Sequence, residues 1–330
     1  MELFLESAFE GRSGAAALLI PCWKREGSVE PALYRGEYKQ SIAALVDLGD
    51  FSAREQEMGL LYSAQGIEPR WLLLGLGQED KATLESLRRF YAEAIKYAIE
   101  KKWGSLNILL PFHSEYSAKE VVYAVIEAVL LTNYQFSLSA KGDKKKQLLE
   151  KVVLFTEVAE AQDLLRQAQT IIDGVGFARD LVNGNAEDIT PKALAEQAKG
   201  LEKLDSRVKV SLFDKEAIQK LGMGLFYAVA KGAAQDPYFI TVTYKGNPDS
   251  EEHTVLIGKG ITYDTGGLSL KPTNSMETMK CDMAGAAAVL GTMQAAIRLK
   301  LPVNVSCVVA AAENAIGSRS YKVGDVYRGY

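Results

Sequence analysis

Short apolar runs alternate with helix-period segments along almost the whole 330-residue chain, and that alternation limits the folds open to it. Ala15–Pro21, Ile42–Leu48, Arg70–Leu76, Leu106–Leu110 and Val152–Phe155 read as strands bounded by glycine and charge. Between them, Asp80–Lys102 places Leu84, Leu87, Tyr91, Ala94, Ile95 and Ala98 at helical spacing, and Glu120–Leu131 repeats the pattern. A further helical period, Leu164, Leu165, Ala168, Ile171, Ile172 and Val175, predicts a long helix joining two domains near residue 160. Thr190 and Pro191 then supply an N-cap and a first-turn proline for a helix over Lys192–Lys199. Strand Val208–Phe213, helix Lys215–Leu221, strands Tyr238–Tyr244 and Thr254–Ile257, helix Ala284–Leu299 and strand Val303–Ala311 follow. The expected class is α/β, with two domains, each a mostly parallel sheet flanked by helices.

Composition narrows the function. A chain of this length with 48% hydrophobic residues can fill more than one core. A net charge of −4 gives no general attraction to nucleic acid or anionic membrane, so neither is an expected partner. The basic run at 141–146 reads as a solvated turn rather than a phosphate site. The N-terminus has no basic leader, and its apolar run at 15–22 is too short to cross a bilayer, which predicts a cytoplasmic protein. Three cysteines without CxxC spacing argue against a disulfide framework or a zinc ribbon. With only His113 and His253, any metal must find mostly oxygen ligands.

The chemistry concentrates between residues 255 and 282, where Lys259, Asp264, Lys271 and Asp282 stand among Gly258, Gly260, Gly266 and Gly267, directly before an alanine-rich helix. Ligand sites in α/β sheets gather at the carboxyl ends of strands, and Lys259 follows the strand at 254–257. Glycines there take positive φ or let backbone approach a ligand. Two carboxylates from separate loop ends suit divalent cations. Each residue also has an ordinary reading. Aspartate among glycines is commonly a turn residue, aspartate before a helix an N-cap, and a loop lysine a solvated charge.

Longer matches decide between these readings. GKGITYDTGGLSLKP at 258–272 and METMKCDMAGAAAVLG at 276–291 resemble the signature region of the leucyl aminopeptidases, the cytosol aminopeptidase family of dinuclear metallopeptidases. ARDLVNG at 178–184, ITPKALA at 189–195, KLGMGLFYAVAKGA at 220–233, Glu313–Asn314 and Gly324–Asp325 fit the same pattern. The resemblance implies an N-terminal macro-like α/β domain at 1–158, a connecting helix at 159–186 and a catalytic domain from 187 to 330. It implies two divalent ions, manganese or zinc, held by Lys259 as a neutral amine, by Asp264 bridging both and by Asp282. Lys271 would polarise the scissile carbonyl, and Met279 would line the pocket for the first substrate side chain, ordinary packing being its alternative. The implied reaction is release of N-terminal amino acids, leucine preferred, from peptides by metal-activated water, in a cytoplasmic homohexamer.

One family segment, Asn-Thr-Asp-Ala-Glu-Gly-Arg, is not spelled in these 330 residues. In the family it supplies two more carboxylate ligands and the arginine that holds a bicarbonate acting as general base. The catalytic domain is therefore expected to be incomplete, with one sheet edge left uncovered. Two readings remain: the N-terminal portion of a metal-dependent aminopeptidase, or a truncated, non-catalytic binding or assembly module of the same family.

Overall fold

Leu18, Leu19, Ile20 and Cys22 have no exposed surface, which marks Leu18–Arg25 as a strand covered on both faces. The computed structural model describes residues 1–33, 36–64, 66–136 and 147–330, so the basic run at 141–146 lies outside the described residues. Two compact units divide at Gln169/Thr170.

In chain order the first unit contains β1 (Glu2–Glu6), β2 (Leu18–Arg25), β3 (Ser28–Pro31), α1 (Gly36–Asp47), β4 (Met58–Tyr62), β5 (Arg70–Gly75), α2 (Leu84–Glu100), β6 (Ser105–Ile108), α3 (Ala118–Thr132) and β7 (Lys151–Phe155). The sheet order is β1-β7-β6-β2-β5-β4, with β3 paired to β2. All its pairs are parallel except β4 with β5 and β3 with β2. Thr83 with Ser86, and Ser117 with Glu120, form reciprocal capping boxes that start α2 and α3. The expected strand at Ile42–Leu48 is instead part of α1. Tyr38, Ile42, Leu45 and Val46 share one helical face on the β2–β5 core, and a short apolar run does not separate the two periods by itself.

This unit also buries an ion pair. Arg12 donates through Nε and Nη2 to the two carboxylate oxygens of Glu68, both at 2.7 Å, and Glu68 is fully buried. Asn107 Nδ2 adds a bond of 2.6 Å to Glu68, and Arg12 Nη2 donates to the Tyr38 hydroxyl at 2.9 Å.

Helix α4 (Ala161–Asn183) runs through the division between the units. The second unit continues with α5 (Pro191–Gly200), β8 (Val208–Phe213), α6 (Lys215–Lys220), α7 (Gly224–Ala230), β9 (Tyr238–Lys245), β10 (Thr254–Asp264), α8 (Thr273–Met276), α9 (Ala284–Arg298) and β11 (Asn304–Asn314). Thr190 Oγ1 accepts from Ala193 N to cap α5, with Pro191 in its first turn. Helices α5 and α9 bury Leu194, Ala198, Ala286, Leu290 and Met293 against Val210, Ile240, Val242, Val309 and Ala311 of the sheet.

The sheet order is β10-β11-β9-β8. Here strand direction departs from expectation: β10 and β11 are parallel, but β9 is antiparallel to both β11 and β8. For β9 against β10 the reason is length: a parallel crossover needs a dozen or more residues, usually with a helix, and the segment 246–253 between them offers neither, so β9 runs opposite to β10 and to its parallel neighbour β11. Among the described residues β10 has no strand on its outer side, and Val255 and Ile257 are 53% and 81% exposed.

Helix α9 lies unusually close to its neighbours. A Cβ on Gly285 would fall 2.8 Å from Lys259 N, and one on Gly291 would fall 2.5 Å from the Gly174 carbonyl oxygen of α4.

Candidate metal centre

Lys259 does not follow its strand but lies within it, because β10 continues to Asp264. Gly258 and Gly260 are strand residues with negative φ; they keep the surface flat where α9 and β11 press against it. The turn comes later. The β10/β11 register shifts between Ile261 and Asp264, setting Asp264 opposite Asn314, and Gly266 (φ +85°) and Gly267 (φ +69°) then reverse the chain.

The backbone of this turn is tied to β11 and to itself. Thr265 donates to the Asn314 carbonyl through both N (2.9 Å) and Oγ1 (2.8 Å), and Lys271 N donates to the Thr265 carbonyl at 2.9 Å. Asp264 Oδ1 accepts from Gly266 N at 2.9 Å and from Asn314 Nδ2 at 2.7 Å. Its Oδ2 accepts from Lys271 Nζ at 2.6 Å, and the same ammonium donates to Met279 Sδ at 3.1 Å. Burial disfavours the charge on Asp264, but the bonds from Lys271, Gly266 and Asn314 outweigh it and hold the carboxyl below its usual range.

Met279 begins a short 3₁₀ turn that ends just before Asp282. Asp282 does not cap α9; Met283 occupies the N-cap position and no side chain bonds there. Its Oδ2 stands 3.0 Å from Lys259 Nζ as a charge contact, with no hydrogen bond made by that buried oxygen. Lys280 Nζ donates to the Asn183 carbonyl at the end of α4, at 2.9 Å, a favourable place for a cation. Thus the strand end, the glycine turn and the 3₁₀ turn make two side-chain contact sets, Lys259–Asp282 and Asp264–Lys271–Met279, joined by the bond from Asp282 N to the Met279 carbonyl at 3.3 Å.

The donor chemistry fits a divalent cation in part. Two carboxylates and an amine suit such an ion, and Asp282 offers a buried oxygen without a hydrogen bond. Among the described residues, no group of three or more His, Cys, Asp or Glu side chains gathers in a metal-binding arrangement. Each carboxylate is balanced by one lysine, so a cation would have to displace those contacts. His113 and His253 take no part: His113 is buried and accepts from Glu115 N, and His253 Nε2 meets Ser306 Oγ at 2.8 Å. All three cysteines are free thiols, and burial pushes Cys307 up to about 12.

This arrangement lies within a longer match. The family model described as cytosol aminopeptidase family, catalytic domain, matches residues 176–330, and that for the family's N-terminal domain matches 19–139. A probable cytosol aminopeptidase of Protochlamydia amoebophila is 42% identical over 333 residues, covering 100% of this chain and 67% of the relative. The chain belongs to the cytosol aminopeptidase family. A second family member, from Chlamydia caviae, is 43% identical over 322 residues, covering 96% of this chain and 64% of that protein. A mutant of tomato leucine aminopeptidase superposes with a TM-score of 0.82 at 26% identity, covering 100% of this chain and 66% of the other. The bottromycin maturation enzyme BotP in complex with Mn gives 0.78 at 28% identity, covering 96% and 63%. The chain therefore spans about two thirds of the length of the cytosol aminopeptidases it matches.

Two features of the centre were not assigned roles from sequence. Asn314 partners Asp264, and Glu313 beside it is within reach of the charge of Glu187. The only sequence signal was the match at Glu313–Asn314; the pairing itself depends on strand register. Burial, then the charge of Glu187, raises the Glu313 carboxyl above its ordinary value of 4.5. A raised carboxyl destabilises the fold where it is charged, and the penalty disappears as pH falls through its folded value. Glu187→Gln is therefore expected to raise stability near neutral pH by about 0.5 kcal/mol or less, given the exposure of Glu187, with the gain vanishing in acid. Melting temperatures across a pH series check this, and a loss at neutral pH would contradict it.

Proposed function

We propose that this chain supplies one wall of a dinuclear divalent-metal centre in an aminopeptidase that releases N-terminal amino acids, leucine preferred, from peptides. The observation that carries the reading is the two contact sets Lys259–Asp282 and Asp264–Lys271–Met279, which meet in one short turn inside the segment matched by the family's catalytic domain. Lys259, Asp264 and Asp282 would hold the ions. Manganese is the better supported cation, from the related BotP complex, and zinc is the other candidate. When bound, such ions supply Lewis-acid polarisation and acidify a water for hydrolysis, with bicarbonate as a further base in the complete enzyme. Cationic Lys271 presents its ammonium where the carbonyl oxygen gains charge. Met279, held on Lys271, borders the space for the first side chain.

Within this reading, 1–158 is an accessory macro-like domain, 159–186 a connecting helix and 187–330 part of the catalytic domain. A cytoplasmic location is supported by the relatives' description as cytosol aminopeptidases; no helix among the described residues is long and apolar enough to cross a membrane. A homohexamer is part of the same reading, and sedimentation velocity is its check.

The test is calorimetric titration of Mn²⁺ into the 330-residue chain and its Asp282→Asn variant, with leucine release from a leucyl anilide followed in parallel. Wild type is expected to bind, and the variant at least ~10-fold more weakly. Equal binding removes Asp282 from the ligand set. Metal binding without leucine release favours the binding or assembly module.

A further inference from the structure

We propose that Asn314 is a positioning residue that fixes the Asp264 carboxylate for a divalent cation; the inference rests on the metal reading above. Asp264 stands at a strand end followed by two glycines in left-handed conformation, a place where a carboxylate has little to steady it. Asn314 provides the restraint through both its backbone and its side chain. Its carbonyl takes two bonds from Thr265, which clamps the residue after Asp264 onto β11. Its Nδ2 donates to Asp264 Oδ1 at 2.7 Å, alongside Gly266 N on the same oxygen. Two donors on Oδ1 set the plane of the carboxylate. Among the described residues Lys271 alone holds Oδ2, so it is the oxygen that opens to a cation when that ammonium moves.

The residue type follows from the contact. An uncharged amide donates to the carboxylate without adding a competing cation, whereas a lysine would oppose a metal ion. The opposite amide orientation would set two acceptors together, and the present one turns Oδ1 of Asn314 toward Gly267, where a Cβ would lie only 3.0 Å away. The β10/β11 register shift that aligns the pair gives the bulge a purpose: it brings Asp264 level with its donor.

Partners that orient a metal-binding side chain commonly set affinity by about 10–100-fold. The experiment titrates Mn²⁺ calorimetrically into the 330-residue chain as wild type, Asn314→Ala, Asn314→Leu and Ser306→Ala. Leucine fills the space of the amide without its donor, so it serves where alanine leaves a cavity that unfolds the strand end. Ser306 is a control at the other end of the same strand, opposite Val255 and bonded to Thr243 at 2.8 Å. The expected result is about 10–100-fold weaker Mn²⁺ binding in both Asn314 variants, unchanged binding in Ser306→Ala, and an altered visible spectrum of bound Co²⁺ in Asn314→Leu. Wild-type affinity and an unchanged Co²⁺ spectrum in folded Asn314→Leu overturn the positioning role and leave the metal reading intact. A wild type that binds no Mn²⁺ overturns both.

Discussion

Glu68→Ala is expected to destabilise the first unit by about 3–5 kcal/mol, the scale for breaking a buried ion pair by removing one partner. Arg12 and Glu68 are only 5% and 0% exposed at their side chains, and their fork-to-fork geometry leaves no oxygen of Glu68 unbonded. The remaining bonds of Arg12, to the Phe9 carbonyl at 3.1 Å and the Tyr38 hydroxyl at 2.9 Å, cannot balance a charge. Burial works against the guanidinium's charge, but Glu68 outweighs burial and keeps the group above its ordinary value. Removal of Glu68 therefore strands a cation in the interior, while the Asn107 amide keeps its bond to the Ser13 carbonyl at 3.0 Å. Denaturant unfolding read separately for the two units is the measurement. The double variant Arg12→Met/Glu68→Leu should recover most of the loss, since apolar side chains of similar volume often replace such pairs without penalty. A single-variant loss below about 1 kcal/mol would show that water reaches the pair.

Within the aminopeptidase reading proposed above, Lys271→Ala is expected to lower kcat for leucine release about 10²–10³-fold, the range for losing one preplaced electrostatic group. The lysine is well placed for this. Its backbone is fixed to Thr265, and its ammonium is held between Asp264 Oδ2 and Met279 Sδ with 29% of the side chain exposed, at the rim of the centre rather than free in solvent. Because Lys271 is not a ligand in this reading, metal content measured on the purified variant should stay the same. The KM should change less than kcat, because the interaction strengthens as charge develops on the carbonyl oxygen. A merely structural ion pair would instead lower the melting temperature with turnover intact, and that result removes Lys271 from the mechanism.

Elements set by local chemistry were legible in the sequence. The strand Val208–Phe213 has the expected bounds, and α5 starts at Thr190 and Pro191 because a cap and a proline act within one turn. Features set by distant partners were not legible. The direction of β9 follows from which strands flank it, and β1 is a short alternating strand whose pairing with β7 spans most of the first unit. Lys259 was expected just past its strand because the apolar run ends at Ile257, with Gly258 and Gly260 on either side of it. The structure shows that they admit α9 and β11 to the strand. In the candidate centre, residue identities came from the motif, while the contacts Lys271–Met279 and Asp264–Asn314 depend on the turn and on strand register.

Helix α9 touches β10 at Gly285 and α4 at Gly291 through main-chain atoms, with no side chain between. Its distance from Lys259 is thus set by peptide geometry, which varies little, and not by the volumes of core residues, which drift readily under mutation. Asp282 sits two residues before this helix, so the spacing across the candidate centre is buffered against sequence drift elsewhere in the core. Glycine, the residue with least to offer a ligand, becomes the length standard for the site.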